Sequence, residues 1–303
     1  MTRAALAALL AAAVLAGGCG SSGTSTPATT TTYHVAPRLR VTRIGSLPRA
    51  FSKAAAVSLP GGRLMVLGGS TGAGSLDTIL AGPPNRLRVV GSLPQPTHDA
   101  AAAVVDGSVY LFGGGESVSM PSVVRVDPRT GAATEAPALG EPLSDLGAVA
   151  IGGRAYLVGG FTGTQFATGI LRYRPQGAAT VFARLPTGTR YAGVTALGST
   201  IYVAGGLTTS GPTNAVYAAS SSGRVRRVAT LPAPEDHAAL AALGSRLYLF
   251  GGRSVLAIDP ASGKVSVAAR LPVALTDPSA TTVGDRIVIA GGGTDSVWAF
   301  GAG

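Results

Sequence analysis

The chain has 303 residues, of which 46% are hydrophobic and 13% charged, against about 25% charged in an average soluble protein. That apolar content excludes disorder throughout, and 44 glycines, about twice the usual share, exclude long amphipathic helices in favour of short strands and tight turns. The net charge of +10 rests on arginine, since Lys53 and Lys264 are the only lysines.

The first element in chain order is a short basic start, Met1-Thr2-Arg3, followed by an apolar run from Ala4 to Ala16. This pattern predicts a secretory signal peptide over residues 1–18. The run falls short of the roughly 20 residues of a membrane-spanning helix. Cys19, the only cysteine, follows Gly17-Gly18 and precedes a Ser/Thr/Pro-rich tract, Gly20 to Thr32. The junction resembles a bacterial lipobox, with Leu15 one residue earlier than usual. The resemblance implies a lipid on Cys19 as the mature N-terminus; the alternative is an ordinary secreted protein cleaved nearby. Residues 19–36 then form a flexible tether, and the anchor holds the rest at the outer side of a cell membrane. A single cysteine forms no intramolecular disulfide.

From residue 37 to the end, two markers repeat. A β-like run closes in paired glycines six times, at LMVLGG, VYLFGG, AYLVGG, IYVAGG, LYLFGG and IVIAGG. Their first glycines, 68, 113, 159, 205, 251 and 291, step by 45, 46, 46, 46 and 40. Leu-Pro keeps the same beat at 47, 93, 185, 231 and 271, with Leu139-Gly140 in the vacant place. A unit of about 45 residues holding four short strands is one propeller blade. In the second unit the strands are expected at Ala100–Val105, Ser108–Phe112, Val123–Val126 and Ala132–Ala138, with Asp106-Gly107 as a hairpin turn. The expected fold is all-β, a six-bladed β-propeller over residues 37–303. The sixth unit stops after its third strand, so Leu39–Gly45 is expected to supply the missing fourth and close the ring. The shorter fifth unit should lose its residues just after the glycines, at Gly252-Arg253-Ser254.

The glycine pair and a following pattern such as Val-Arg-Val-Asp-Pro-Arg-Thr-Gly resemble the Kelch repeat. The family's Tyr and Trp positions are degenerate: Val126, Tyr173, Ala219, Ile258 and Phe300 stand at or near the first, Ala133 and Val265 at the second. The resemblance implies Kelch-like four-stranded blades. It carries no particular Kelch function.

Three arginine pairs, Arg38/Arg40, Arg86/Arg88 and Arg224/Arg226, are expected on outer fourth strands, each pair sharing a face. Charges there guard edges against pairing; the alternative is an anion-binding rim. Export and the lack of a basic run interleaved with aromatics argue against nucleic acid and for a protein, an anionic envelope polymer or glycan, or lipid headgroups. A monomer is expected.

The ligand face of a propeller gathers the loops from strand four to one and from two to three. Five and six places after each Leu of Leu-Pro come Ser52/Lys53, His98/Asp99, Ser144/Asp145, Arg190/Tyr191, Asp236/His237 and Thr276/Asp277. The post-glycine loops add Glu116, Thr162, Gln165, Thr208, Arg253 and Asp295. The candidate ligand face is therefore Lys53, His98, Asp99, Glu116, Asp145, Arg190, Tyr191, Asp236, His237, Arg253 and Asp277. The plain alternative is that these residues cap strands and bond loop backbone.

No cofactor is expected. His98 and His237 lie three blades apart, roughly 20 Å across the ring, too far for one metal. The glycine pairs end strands and open no helix, so they cradle no nucleotide. No Gly-x-Ser-x-Gly elbow precedes a helix. Copper-radical chemistry, which joins a cysteine to a tyrosine in some Kelch-like oxidases, is dismissed with Cys19 as anchor. Asp99 and Asp145, in adjacent blades, are candidates for glycoside chemistry. Two functional classes result. One is a tethered binding or scaffolding module. The other is an envelope sugar enzyme resembling exported six-bladed Kelch-type sialic acid mutarotases, with His98, Asp99, Arg190 or His237 as acid–base and carboxylate-binding groups.

Overall fold

The structure, a computed structural model, describes residues 38–302. The expected leader, the tether, Cys19 and His34 lie outside the described residues. The described chain is a six-bladed β-propeller, and no helix occurs in it. Blade one is built from Ala55–Leu59, Arg63–Leu67, Gly74–Gly82 and Arg88–Thr97. Blade two uses Ala101–Val105, Ser108–Phe112, Val123–Val126 and Ala133–Ala136, and blades three and four repeat the order. Neighbouring strands within each blade are antiparallel.

The ring closes as the sequence predicts. Leu39–Phe51 pairs with Thr294–Ala302 in register from Leu39↔Ala302 to Phe51↔Thr294, with two irregularities on the way. The first described strand is thus the outer strand of the last blade. Blade five shows the expected shortening. Arg246–Ile258 runs as one stretch; its first half pairs with Ala239–Leu243 and its second half with Val265–Leu275.

Six apolar clusters fill the six spaces between neighbouring blades. Each blade is therefore covered on both faces. That is why the second strands, such as Val109–Phe112, read as continuous apolar runs with no polar alternation. The innermost strands alternate instead: Ala55, Val57 and Leu59 are buried in the blade, while Ala56 and Ser58 line an axial channel of about 320 Å³.

The two sequence markers keep one beat because they touch. The second glycine of a pair donates its N–H to the carbonyl four places after the Leu of Leu-Pro: Gly69 to Thr97 at 2.9 Å, Gly114 to Leu143 at 2.8 Å, Gly160 to Thr189 at 2.8 Å and Gly206 to Glu235 at 2.7 Å. The same carbonyl occupies the place a side chain on the first glycine would need, and that glycine has φ near +60° (Gly68 +61°, Gly113 +61°). Only glycine meets both demands. The Leu itself is buried in every blade.

The arginine pairs sit differently from expectation. Arg38, Arg86 and Arg224 precede their strands, which begin at Leu39, Arg88 and Val225. Each pair therefore marks the entry end of an outer strand, where the chain comes out of a turn.

Candidate functional site

The chain segments entering the six blades turn alike. Four of them first exchange two backbone hydrogen bonds with a post-glycine loop: His98 with Gly115, Ser144 with Phe161, Arg190 with Leu207 and Ser52 with Ser70. The next residue then turns with positive φ. These residues are Lys53 (59°), Asp99 (55°), Asp145 (59°), Tyr191 (55°), His237 (55°) and Asp277 (47°), one per blade. Asp and His tolerate this region better than most residues, whereas a bulky Lys or Tyr there is strained.

The turn sends a chain of backbone hydrogen bonds from blade to blade around the axis. Asp99 N–H donates to Lys53 O at 3.0 Å, Asp145 to Asp99 at 2.8 Å, Tyr191 to Asp145 at 2.9 Å, His237 to Tyr191 at 3.2 Å, and Lys53 to Asp277 at 3.0 Å. The six side chains line the mouth of the axial channel, a space of about 90 Å³.

Their charges pair across neighbouring blades. Lys53 Nζ meets Asp99 Oδ2 at 3.0 Å, Arg190 grips Asp145, and His237 Nδ1 bonds Asp277. Asp99 and Asp145, expected as a carboxylate pair, thus each hold a cation. His237 also stacks on Tyr191, ring centroids 3.8 Å apart. Burial pushes the Asp145 carboxyl up to about 6, reinforced by Asp99 and opposed by Arg190. The bond to Asp277 raises His237 above its ordinary value and outweighs burial. Burial pulls Lys53 down, but the bond and charge of Asp99, with Asp277 and Asp145, leave it raised.

Beside the mouth opens a cavity of about 460 Å³, walled by the post-glycine loops of blades two and three. It gathers Lys53, His98, Asp99, Glu116, Asp145, Arg190 and Tyr191 from the candidate face, with Ser117, Ser119, Ser144, Phe161, Thr162 and Thr164. His98 accepts or donates a 2.8 Å bond between Nδ1 and Ser75 Oγ, and its Nε2 lies 3.6 Å from Asp99 Oδ2. Ser144 Oγ donates to Asp145 Oδ2 at 3.1 Å and stands 2.9 Å from Ser119 Oγ. The Arg190 guanidinium lies over Phe161, Phe166 and Tyr191, 4.7, 5.6 and 4.4 Å from their centroids. It donates to Tyr191 Oη at 2.6 Å. Its Nε is buried with no partner among the described residues.

The structure brings together nine of the eleven candidate residues in these two adjoining spaces, with His237 and Asp277 at the axial mouth only. Asp236 and Arg253 line neither; Arg253 donates to the Pro272 carbonyl. The aromatic support of Arg190 was not foreseen. Its signal is present, because Phe161 and Phe166 flank one post-glycine loop in a chain that is only 5% aromatic. Among the described residues no group of three or more His, Cys, Asp or Glu is arranged to hold a metal.

No protein-family model matches the chain. No curated protein matches it by sequence. Solved structures do match its fold. The structure of YjhT is similar with a TM-score of 0.73 at 15% identity, over 83% of this chain and 94% of that one. A likeness at that identity concerns the fold, and it agrees with the six-bladed ring described above.

Proposed function

We propose that this chain is a binding module, tethered outside the cell through lipid on Cys19, whose degenerate Kelch-type propeller takes a glycan into the cavity beside its upper mouth. The observation that carries the reading is that cavity. About 460 Å³ falls within the range of small-ligand sites. Its walls mix acceptors (Asp99, Asp145), donors (Arg190, Lys53) and hydroxyls that do both (Ser119, Ser144, Thr162), the mixture a sugar's hydroxyls require. Phe161 and Tyr191 also line the cavity, and the Arg190 guanidinium lies over both rings. Each buried carboxylate already holds a cation, which favours binding over catalysis.

One observation favours a second reading, an envelope sugar enzyme. His98 stands between Ser75 and Asp99 at the cavity wall, an arrangement suited to acid–base work.

A thermal-shift screen against neutral sugars, sugar acids and envelope polysaccharide fragments tests the binding reading. A ligand at 100 times its dissociation constant adds about 2.7 kcal/mol, a shift of several degrees. The expected result is a shift lost in Ser144→Ala and in Arg190→Lys. No shift with any sugar would overturn the reading. Turnover of a shifting sugar, abolished by His98→Ala, would replace it with the enzyme.

A further inference from the structure

The end of the propeller opposite the mouth is formed by the turns between first and second strands and between third and fourth strands. Every blade places an exposed cation there. They are Arg88 in blade one, Arg129 in two, Arg174 in three, Arg226 in four, Lys264 in five and Arg40 in six. The register fixes these positions: Arg88 pairs with Ala81, Arg174 with Gly177, Arg226 with Ala218 and Arg40 with Gly301, all near the turn end of their strands. None of the six has an ion-pair partner among the described residues.

The carboxylates of this end are Asp106, Asp127, Asp259 and Asp285. Asp127 and Asp259 are committed to turns, accepting N–H bonds from Arg129 and Thr130 and from Ala261 and Ser262. Asp285 faces Arg286. The remaining described carboxylates lie in the upper half of the ring, Glu135 and Asp77 on the outer two strands of their blades and Asp99, Asp145 and Asp277 at the mouth. The excess positive charge of the chain is therefore segregated to one end.

From this segregation we infer that the lower end is a docking surface for an anionic lipid bilayer, so that the propeller stands on the membrane with its mouth turned away. Two features select a bilayer over a soluble polyanion. The cations encircle a whole end of the ring, one set per blade, which suits a broad planar partner; a strand-like polymer would call for a single groove. The described chain also begins at this end, at Arg38, so whatever precedes it is attached to the basic side. Guarding of outer strands against edge pairing does not account for cations clustered at one end of those strands. The inference is independent of what the mouth binds.

The described ring contains all its strands and its six cores, so residues 36–303 can be tested without the leader or lipid. The measurement is cosedimentation with vesicles of phosphatidylcholine, with and without about 30 mol% phosphatidylglycerol. Binding is expected only to the anionic vesicles, falling at least about tenfold as salt rises from about 0.05 to about 0.5 M. The triple variant Arg88→Glu, Arg174→Glu, Arg226→Glu should lose on the order of a hundredfold in partitioning. A variant of equal charge in the upper half, Arg49→Glu, Arg184→Glu, Arg270→Glu, should retain most of it. No binding by the unmodified chain, equal loss in both variants, or capture by soluble polyphosphate that outcompetes vesicles of equal charge would overturn the inference. The salt titration uses the unmodified chain and stands whether or not the variants fold.

Discussion

Asp145 at the mouth keeps 2% of its side chain exposed and is gripped by Arg190 at 21%, whereas Asp285 at the opposite end, 91% exposed, faces Arg286 at 3.5 Å and 61%. The chemistry of the two pairs is the same and their consequences differ. An exposed pair is worth about 0–1 kcal/mol. A buried one repays its desolvation only while both partners are present. The mouth is therefore a built site whose charges are mutually dependent. The lower end is a field of independent charges.

Removing one partner breaks this contrast most sharply. Arg190→Ala leaves Asp145 buried and unpaired, and should cost about 3–5 kcal/mol in denaturant unfolding. Adding Asp145→Ala should recover much of that loss, because the orphaned charge goes with it. Arg286→Ala should stay within about 0.5 kcal/mol. A comparable cost at both positions would refute the distinction.

The next largest effect is expected from pH. The folded-state values of Asp145 and His237 are both raised, so the folded protein binds more protons than the unfolded chain between their ordinary and folded values. Stability contributed by these groups must fall as pH rises. For Asp145 the loss runs from about 4 to about 6. For His237 it is fully present below its ordinary value of 6.5 and is lost as pH rises through the raised one. Melting temperatures across this range should decline more steeply in the unmodified chain than in Asp145→Asn with His237→Asn. A parallel pair of curves would remove the assignment.

His237→Ala tests a smaller term, the stack on Tyr191, worth about 0.5–1.5 kcal/mol beyond burial. Smallest of all is Arg226→Ala, within about 0.5 kcal/mol on stability but measurably weaker on anionic vesicles. That separation of stability from binding is what a surface field predicts and a built site forbids.

The fold was legible because a propeller repeats one solution. In four blades the second glycine of the pair bonds the carbonyl four places after the Leu marker, so both markers recur with one spacing. The positions facing the axis were legible too, from their phase and from the Asp and His that tolerate positive φ. What joined those residues was not. Lys53–Asp99, Arg190–Asp145 and His237–Asp277 each span two adjacent blades, and their meeting depends on the curvature of the ring. The sequence therefore suggested Asp99 with Asp145, when each in fact faces a cation. Arg253 shared the right loop but turned to a carbonyl in its own blade. The basic end escaped notice for another reason. Its arginines look like edge guards one strand at a time, and only the register places them all at one end.

Hydrogen exchange by mass spectrometry on residues 36–303, alone and on anionic vesicles, tests the division between the two ends most directly. The account predicts slowed exchange at the lower turns, among them Gly61-Gly62, Gly107, Gly152-Gly153 and Gly263, and unchanged exchange at the loops carrying His98, Ser144 and Arg190. Protection of the mouth loops with the lower turns unaffected would contradict it.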